Sequence, residues 1–338
     1  MAALWPPAPP GTRWLLRLPN WVGDAVMVLP ALRALPVREQ FRIGVAHPRV
    51  LDVYTATGLF DRLLPASGKS APLQLRSEMR RLKPDRSLVF TEAPSGAWLA
   101  FFSGARLRLG RAEGLHRALF THRLPRATRQ EPAWREHMRV AEAAGALSPP
   151  APDFRVPVDD ATRARMPAFI PSGEAPLIAL APGAAYGPAK RWPLENFVEL
   201  SRRLRGEGYR VVVTGSMNER SMGNALATTG AIDLTGTTNL LETIAVLGTT
   251  NLLVTNDSGA LHLARAAGTP VVALFGSSSP LWTGPEEHEG DVLRHLVPCS
   301  PCFKRECPLK GHDHLRCLHG ISVDAALDAV NRRLGVAT

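Results

Sequence analysis

Lysine is scarce in this 338-residue sequence. Of its 40 basic side chains only Lys69, Lys83, Lys190, Lys304 and Lys310 are lysines. No dense basic block interleaved with aromatic residues occurs, which argues against a nucleic-acid partner. Long apolar runs are absent too: none approaches the roughly 18 residues that cross a bilayer, so no membrane-spanning helix is expected. Residues 1–11 are rich in proline and show no basic segment leading into an apolar one, so no signal peptide is read there and a cytoplasmic location is expected. Cysteine is missing from the first 298 residues, which excludes a disulfide framework over that stretch.

The composition that remains is that of a globular protein. Hydrophobic residues make up 45 %, and 338 residues are enough for two domains, each with its own core. The formal charge of +10 suits a polyanionic partner, and an anionic membrane surface is the candidate left once nucleic acid is set aside. A plain compositional bias towards arginine accounts for the same number.

Strand and helix patterns alternate along the chain. Residues 14–18, 41–46, 87–90 and 106–109 read as strands; 24–35 and 96–102 read as helices, with Val28, Leu29, Leu32 and Leu35 at helical spacing. The stretch 149–173 is rich in proline, has little periodicity and reads as a linker. A second set follows: strands 177–180, 209–214, 251–254 and 271–275, helices 194–205, 240–247 and 258–267. Short Val/Leu strands alternating with helices predict α/β domains whose parallel sheets are covered on both faces. The expected architecture is therefore two Rossmann-like, doubly wound domains, 1–165 and 166–338, facing a central cleft suited to a nucleotide sugar.

Four segments carry candidate chemistry. In 254–268 a strand runs into Asp257, Ser258 and Gly259, and a helix begins. Its first N–H groups make an anion site fit for a diphosphate, with His262 one turn in. Asp257 as a mere helix cap and His262 as a surface residue fit the same pattern. In 181–193 a Gly/Pro-rich loop carries Lys190, the one lysine between Lys83 and Lys304, read either as a partner for a leaving diphosphate or as a solvated loop lysine. Both loops follow strand ends, which places them on one rim of the sheet. In 20–24, Gly23 frees the turn and Asp24 opens a helix whose dipole keeps a carboxylate ionised, as a cap or as a proton acceptor. Finally Cys299, Cys302, Cys307 and Cys317 form a C-x2-C-x4-C-x9-C loop with His312 and His314 interspersed. Its gaps match no common zinc module closely, leaving zinc, an iron–sulfur cluster or packed thiols open.

Five motifs in order complete the picture: Pro19-Asn20-Trp21-Val22-Gly23-Asp24; 182–193, reading PGAAYGPAKRWP; Asn256-Asp257-Ser258-Gly259 with His262; 268–276, reading GTPVVALFG; and 299–308, with its C-x-P-C-F-K-R-x-C-P pattern. Together they resemble glycosyltransferase family 9, the ADP-heptose-dependent lipopolysaccharide heptosyltransferases, over nearly the whole chain. The Pro-Asn-Trp opening and the cysteine segment resemble the type II members best.

The resemblance implies a GT-B fold and an inverting, metal-independent transfer without a cofactor. The N-terminal domain would take a lipid-linked acceptor of the heptosyl-Kdo2-lipid A kind, and the C-terminal domain the ADP-heptose donor. It implies Asp24 as base and Lys190 as contact to the donor phosphates, with Asp257, Ser258, Gly259 and His262 in the donor loop. Glu219 would meet the ribose or adenine, and Thr238 would wall the nucleobase. The loop Thr91-Glu92-Ala93-Pro94-Ser95 departs from the Asn-Ser-like pair expected there. An enzyme with an acidic glycolipid acceptor would sit at the inner face of the inner membrane, steered by arginines between 76 and 139. The rival readings are type I or type III transfer to another inner-core acceptor, a GT-B nucleotide-sugar epimerase, and a basic metal-binding protein that contacts nucleic acid.

Overall fold

Runs of Leu, Val and Ile too short for helices form the framework. In the computed structural model, which describes residues 3–35, 40–111 and 113–336, they pair into two six-stranded sheets, parallel throughout. The first comprises β1 (Arg13–Arg17), β2 (Phe41–Ala46), β3 (Arg62–Pro65), β4 (Arg86–Val89), β5 (Leu107–Arg111) and β6 (His122–Leu124), in the order β3-β2-β1-β4-β5-β6. The second comprises β7 (Leu177–Ala181), β8 (Arg210–Val213), β9 (Ile232–Asp233), β10 (Leu252–Asn256), β11 (Val271–Phe275) and β12 (Gly290–Arg294), in the order β12-β11-β10-β7-β8-β9. The two orders are the same doubly wound pattern. Each reverses beside its first strand, so β1/β4 and β7/β10 are the points where successive loops diverge and leave room for a ligand. Helices on both faces explain why Leu15, Leu16, Leu252, Leu253 and Val254 are all fully buried.

The chain divides into two compact units, Met1–Phe154 and Arg155–Thr338. The division falls inside the proline-rich stretch, N-terminal to the 165/166 boundary read from the sequence. That stretch also contains two helices of about one turn, Asp160–Ala164 and Met166–Phe169, too short to leave a periodic signal. Asp159 caps the first, its Oδ1 accepting from Thr162 N at 2.6 Å.

In the N-terminal unit the helix expected at 24–35 is two helices, Val22–Met27 and Leu29–Ala34, joined at Val28. Pro30 is the cause: it has no N–H for the carbonyl four residues back, and its ring crowds that carbonyl. In the C-terminal unit, Trp192 and Phe197 meet edge to face at 5.0 Å beneath β7 and β8. The helix Val323–Leu334 closes this core with Ala326, Ala329 and Val330 on one face. Ser322 caps its start, and Gly335, at φ 72°, takes the left-handed conformation that ends it.

Candidate functional site

The loops that leave β7 and β10 at the switch point of the C-terminal unit are tied together by one buried side chain. Asn256 ends β10 with no exposed surface. Its Nδ2 donates to Pro182 O at 2.7 Å and its Oδ1 accepts from Trp192 N at 2.9 Å, so a single amide spans the 182–192 loop from start to finish. Thr255 Oγ1 adds a bond to Ala181 O at 3.3 Å. Asn256 was assigned no role from sequence, although an amide at the end of a Leu/Val/Thr strand is itself a signal of a polar task.

With the loop so held, Lys190, on the one-turn element Pro188–Lys190, forms an ion pair with Asp257 Oδ2. Ser278 Oγ donates to the same oxygen at 2.5 Å. The Asp257 side chain is 3 % exposed and that of Lys190 16 %. The helix cap is therefore Ser258, not Asp257: Ser258 Oγ accepts from Ala260 N at 3.3 Å and opens the helix Gly259–Ala267. Neither is Lys190 a solvated loop lysine; its Nζ also lies 5.1 Å from the Tyr186 ring centroid. A cation, a buried carboxylate and the first turn of a nine-residue helix thus share one rim. The first N–H groups of a helix have no carbonyl acceptor within it; Ser258 Oγ meets that of Ala260 alone among the first-turn residues, which suits the turn to an anion.

His262 is buried at 3 % exposure, not on the surface. Burial, and after it the positive charge of Arg265, push its pKa down to about 3, so the imidazole is neutral at physiological pH. Its Nδ1 has no hydrogen-bond partner among the described residues. Glu219 is brought to the same loop: a Cβ at Gly183 would stand 1.7 Å from Glu219 Oε1. Its other oxygen accepts from Ser216 N at 2.6 Å and Ser216 Oγ at 2.9 Å, closing a capping box. The Thr238 hydroxyl is bonded to Thr243 Oγ1 at 2.9 Å.

The cysteine segment has a contact that its spacing did not foretell: it docks on the Lys190 loop. Ala189 N donates to Arg305 O at 3.1 Å, Arg305 Nε donates to Tyr186 O at 2.8 Å, and Tyr186 Oη donates to Phe303 O at 2.9 Å. Gly187 permits the approach, since a Cβ there would lie 2.3 Å from Arg305 O. Cys299, Cys302, Cys307 and Cys317 are free thiols lining one cavity of about 290 Å³. Burial first, then the three neighbouring cysteines, raise the Cys317 pKa. Among the described residues, no group of three or more His, Cys, Asp or Glu side chains converges well enough to hold a metal ion.

In the N-terminal unit Asp24 lies, half-buried, in the first turn of Val22–Met27. Burial, and secondly the Asp24 carboxylate, push the phenol of Tyr54 well above its ordinary range. Tyr54 Oη donates to Pro19 O at 3.2 Å, fixing the loop that precedes Asp24. In the divergent loop after β4, Glu92 accepts from Ala127 N at 2.9 Å and Arg126 Nε at 3.2 Å.

A model of glycosyltransferase family 9 (heptosyltransferase) matches residues 73–312. The chain is 32 % identical over 308 residues to lipopolysaccharide heptosyltransferase 2 of Salmonella typhimurium, covering 82 % of this chain and 87 % of that protein. Against lipopolysaccharide heptosyltransferase 2 of Escherichia coli the identity is 30 % with the same coverage. The solved structure of E. coli ADP-heptose LPS heptosyltransferase II superposes with a TM-score of 0.81 at 26 % identity, covering 96 % of this chain and 98 % of that one.

Proposed function

We propose, on the premise that this chain belongs to glycosyltransferase family 9, that it transfers heptose from ADP-L-glycero-D-manno-heptose to the first heptose of the lipopolysaccharide inner core, with inversion. The observation that carries this reading is the Lys190–Asp257 pair at the head of the Gly259–Ala267 helix. As the C–O bond to the diphosphate breaks, negative charge grows on the leaving ADP and the sugar gains oxocarbenium character. Lys190 and the first-turn N–H groups stabilise that charge where it develops. Asp257 and Ser278 hold Lys190 in place. Glu219, against Gly183, is available to the hydroxyls of the nucleoside, and Thr238 is assigned the outer wall of the base. Asp24 accepts the proton of the attacking acceptor hydroxyl, and attack opposite the leaving group inverts the anomeric centre.

The acceptor belongs to the N-terminal unit and the donor to the C-terminal unit in this reading. The acceptor is an acidic glycolipid, which places the enzyme at the inner face of the inner membrane. No helix of the described residues is long and apolar enough to cross a bilayer. Supporting a peripheral contact, Trp98, Phe101 and Leu115 of the N-terminal unit are exposed, and Arg108 lies 5.9 Å from the Phe101 ring centroid. Exposed aromatic residues beside arginines suit an anionic lipid surface.

The test is product analysis with ADP-heptose, with and without a one-heptose acceptor lipid. Acceptor-dependent ADP release together with a heavier lipid is expected. An isomerised ADP-sugar formed without acceptor would identify an epimerase instead.

A further inference from the structure

At the switch point of the N-terminal unit, between β1 and β4, a positive charge is buried with no partner of opposite sign among the described residues. Arg17, the last residue of β1, is 5 % exposed. Its Nη1 donates to Leu18 O and to Val45 O, and its Nη2 to Asn20 Oδ1 at 3.0 Å. All three acceptors are neutral, and no carboxylate among the described residues pairs with the guanidinium. Burial lowers its pKa, yet a guanidinium remains charged. Arg111 and Arg265, also buried, meet Glu136 at 2.6 Å and Glu289 at 2.8 Å, whereas Arg86, also buried, donates to the carbonyls of Pro6 and Pro7 at 2.9 and 3.0 Å. What sets Arg17 apart is that its buried guanidinium, held by neutral acceptors, borders an open cavity, which suits an anion from outside the chain.

The space for one is there. Arg17, Asn20, Gly68, Lys69, Ser95 and Leu99 line a cavity of about 240 Å³ whose walls contain no Asp or Glu. Lys69, exposed on the loop after β3, adds a second charge. Ser95 lies in the first turn of the nine-residue helix Pro94–Phe102, whose dipole adds to the positive potential. Gly96 in the same turn lets the helix close on the end of β4: a Cβ there would lie 2.8 Å from Thr91 Oγ1 and from Val89 Cγ1. Asn20, bonded to Arg17, belongs to the short loop that leads into the helix carrying Asp24.

We propose that this pocket binds an anionic group of the acceptor, a phosphate or a sugar carboxylate, and thereby presents the attacking hydroxyl to Asp24. The inference rests on the reading of the N-terminal unit as the acceptor-binding half. Arg17 and Lys69 are then positioning and specificity residues.

The test uses the full chain as wild type, Lys69→Gln and Arg17→Gln. Acceptors are the native lipid, its dephosphorylated form and its carboxyl-methylated form. Loss of one charge-assisted contact predicts a rise of about tenfold in acceptor KM for Lys69→Gln, with kcat and donor KM retained. One of the two neutralised lipids should cost the wild type the same factor and the variant nothing further; which one it is separates phosphate from carboxylate. An unchanged acceptor KM in folded Lys69→Gln, or losses that multiply with both lipids, overturns the proposal.

If the wild type transfers heptose to none of the lipids, the transfer reading fails, and the pocket is read directly by acylation of Lys69 followed by mass spectrometry. Inorganic phosphate or acetate should then slow Lys69 acylation in the wild type and not in Arg17→Gln. Equal rates with and without both anions overturn the pocket.

Discussion

Replacing Asp257 with alanine separates what the Lys190–Asp257 pair does for the fold from what it does for the reaction. The Asp257 side chain is 3 % exposed and Lys190 16 %, so the pair sits close to the buried limit. Breaking a buried pair by deleting one partner costs about 3–5 kcal/mol, whereas an exposed pair is worth about 0–1. Arg202 and Glu199, at 63 % and 37 %, belong to the second class. Lys190 retains some access to water once its partner is gone, which points to the lower end, about 3 kcal/mol. In a unit spanning residues 155–338 that is a fall of roughly 6–12 °C in Tm. The double variant Lys190→Met/Asp257→Leu removes both charges and should recover to within about 1 kcal/mol of the wild type. It should nonetheless transfer no heptose. Thermal melts of the three proteins check the stability part and ADP release the rest. An Asp257→Ala melt within about 2 °C of the wild type, or a double variant no more stable than the single, would refute the reasoning.

Asp24→Ala should lower kcat by about 10²–10⁴-fold with donor affinity unchanged, measured by steady-state kinetics beside ADP binding; unchanged turnover removes Asp24 from the mechanism. Gly183→Ala should displace Glu219, because the new Cβ would overlap its carboxylate, and weaken ADP binding in calorimetry with little loss of helix content. Arg305→Ala should release the cysteine segment from the Lys190 loop and reduce kcat/KM by about tenfold, an effect of roughly 1.4 kcal/mol, while Tm moves little because Arg305 is exposed. His262 binds a proton in the unfolded chain below about pH 6.5 but in the folded chain only near pH 3. Acid therefore favours unfolding: stability is full above about 6.5 and falls by up to roughly 1.4 kcal/mol per pH unit between 6.5 and 3. His262→Gln should flatten that slope in urea titrations at pH 7 and pH 5.

The doubly wound sheets were legible because their strands are local runs of Leu and Val, and the rim loops because Gly, Pro and a capping serine punctuate them. The break at Val28 was missed although Pro30 was in plain view, since apolar spacing pointed to one continuous helix. The partners inside the site were not legible. Asn256 meets Trp192, Asp257 meets Ser278, and Tyr186 meets Phe303, pairs far apart in sequence that only the topology of the sheet brings together. Burial set aside two alternatives, the surface histidine and the capping aspartate: His262 lies one turn into an amphipathic helix, and the face it occupies packs inward; Asp257 precedes a helix as a cap would, but the lysine loop captures it first. Arg17 ends a strand and carries no sequence motif. Its interest lies in the missing counter-charge, which only the surrounding structure can reveal.

The central claim is heptose transfer from ADP-heptose to a one-heptose inner core. Its most direct test is ADP release from ADP-heptose with acceptor lipids carrying no heptose, one heptose or two. Release with the one-heptose lipid alone is the predicted result. Release with the heptose-free lipid or the two-heptose lipid instead would contradict it and reassign the acceptor, and no release with any of the three would contradict the assigned donor and acceptor together.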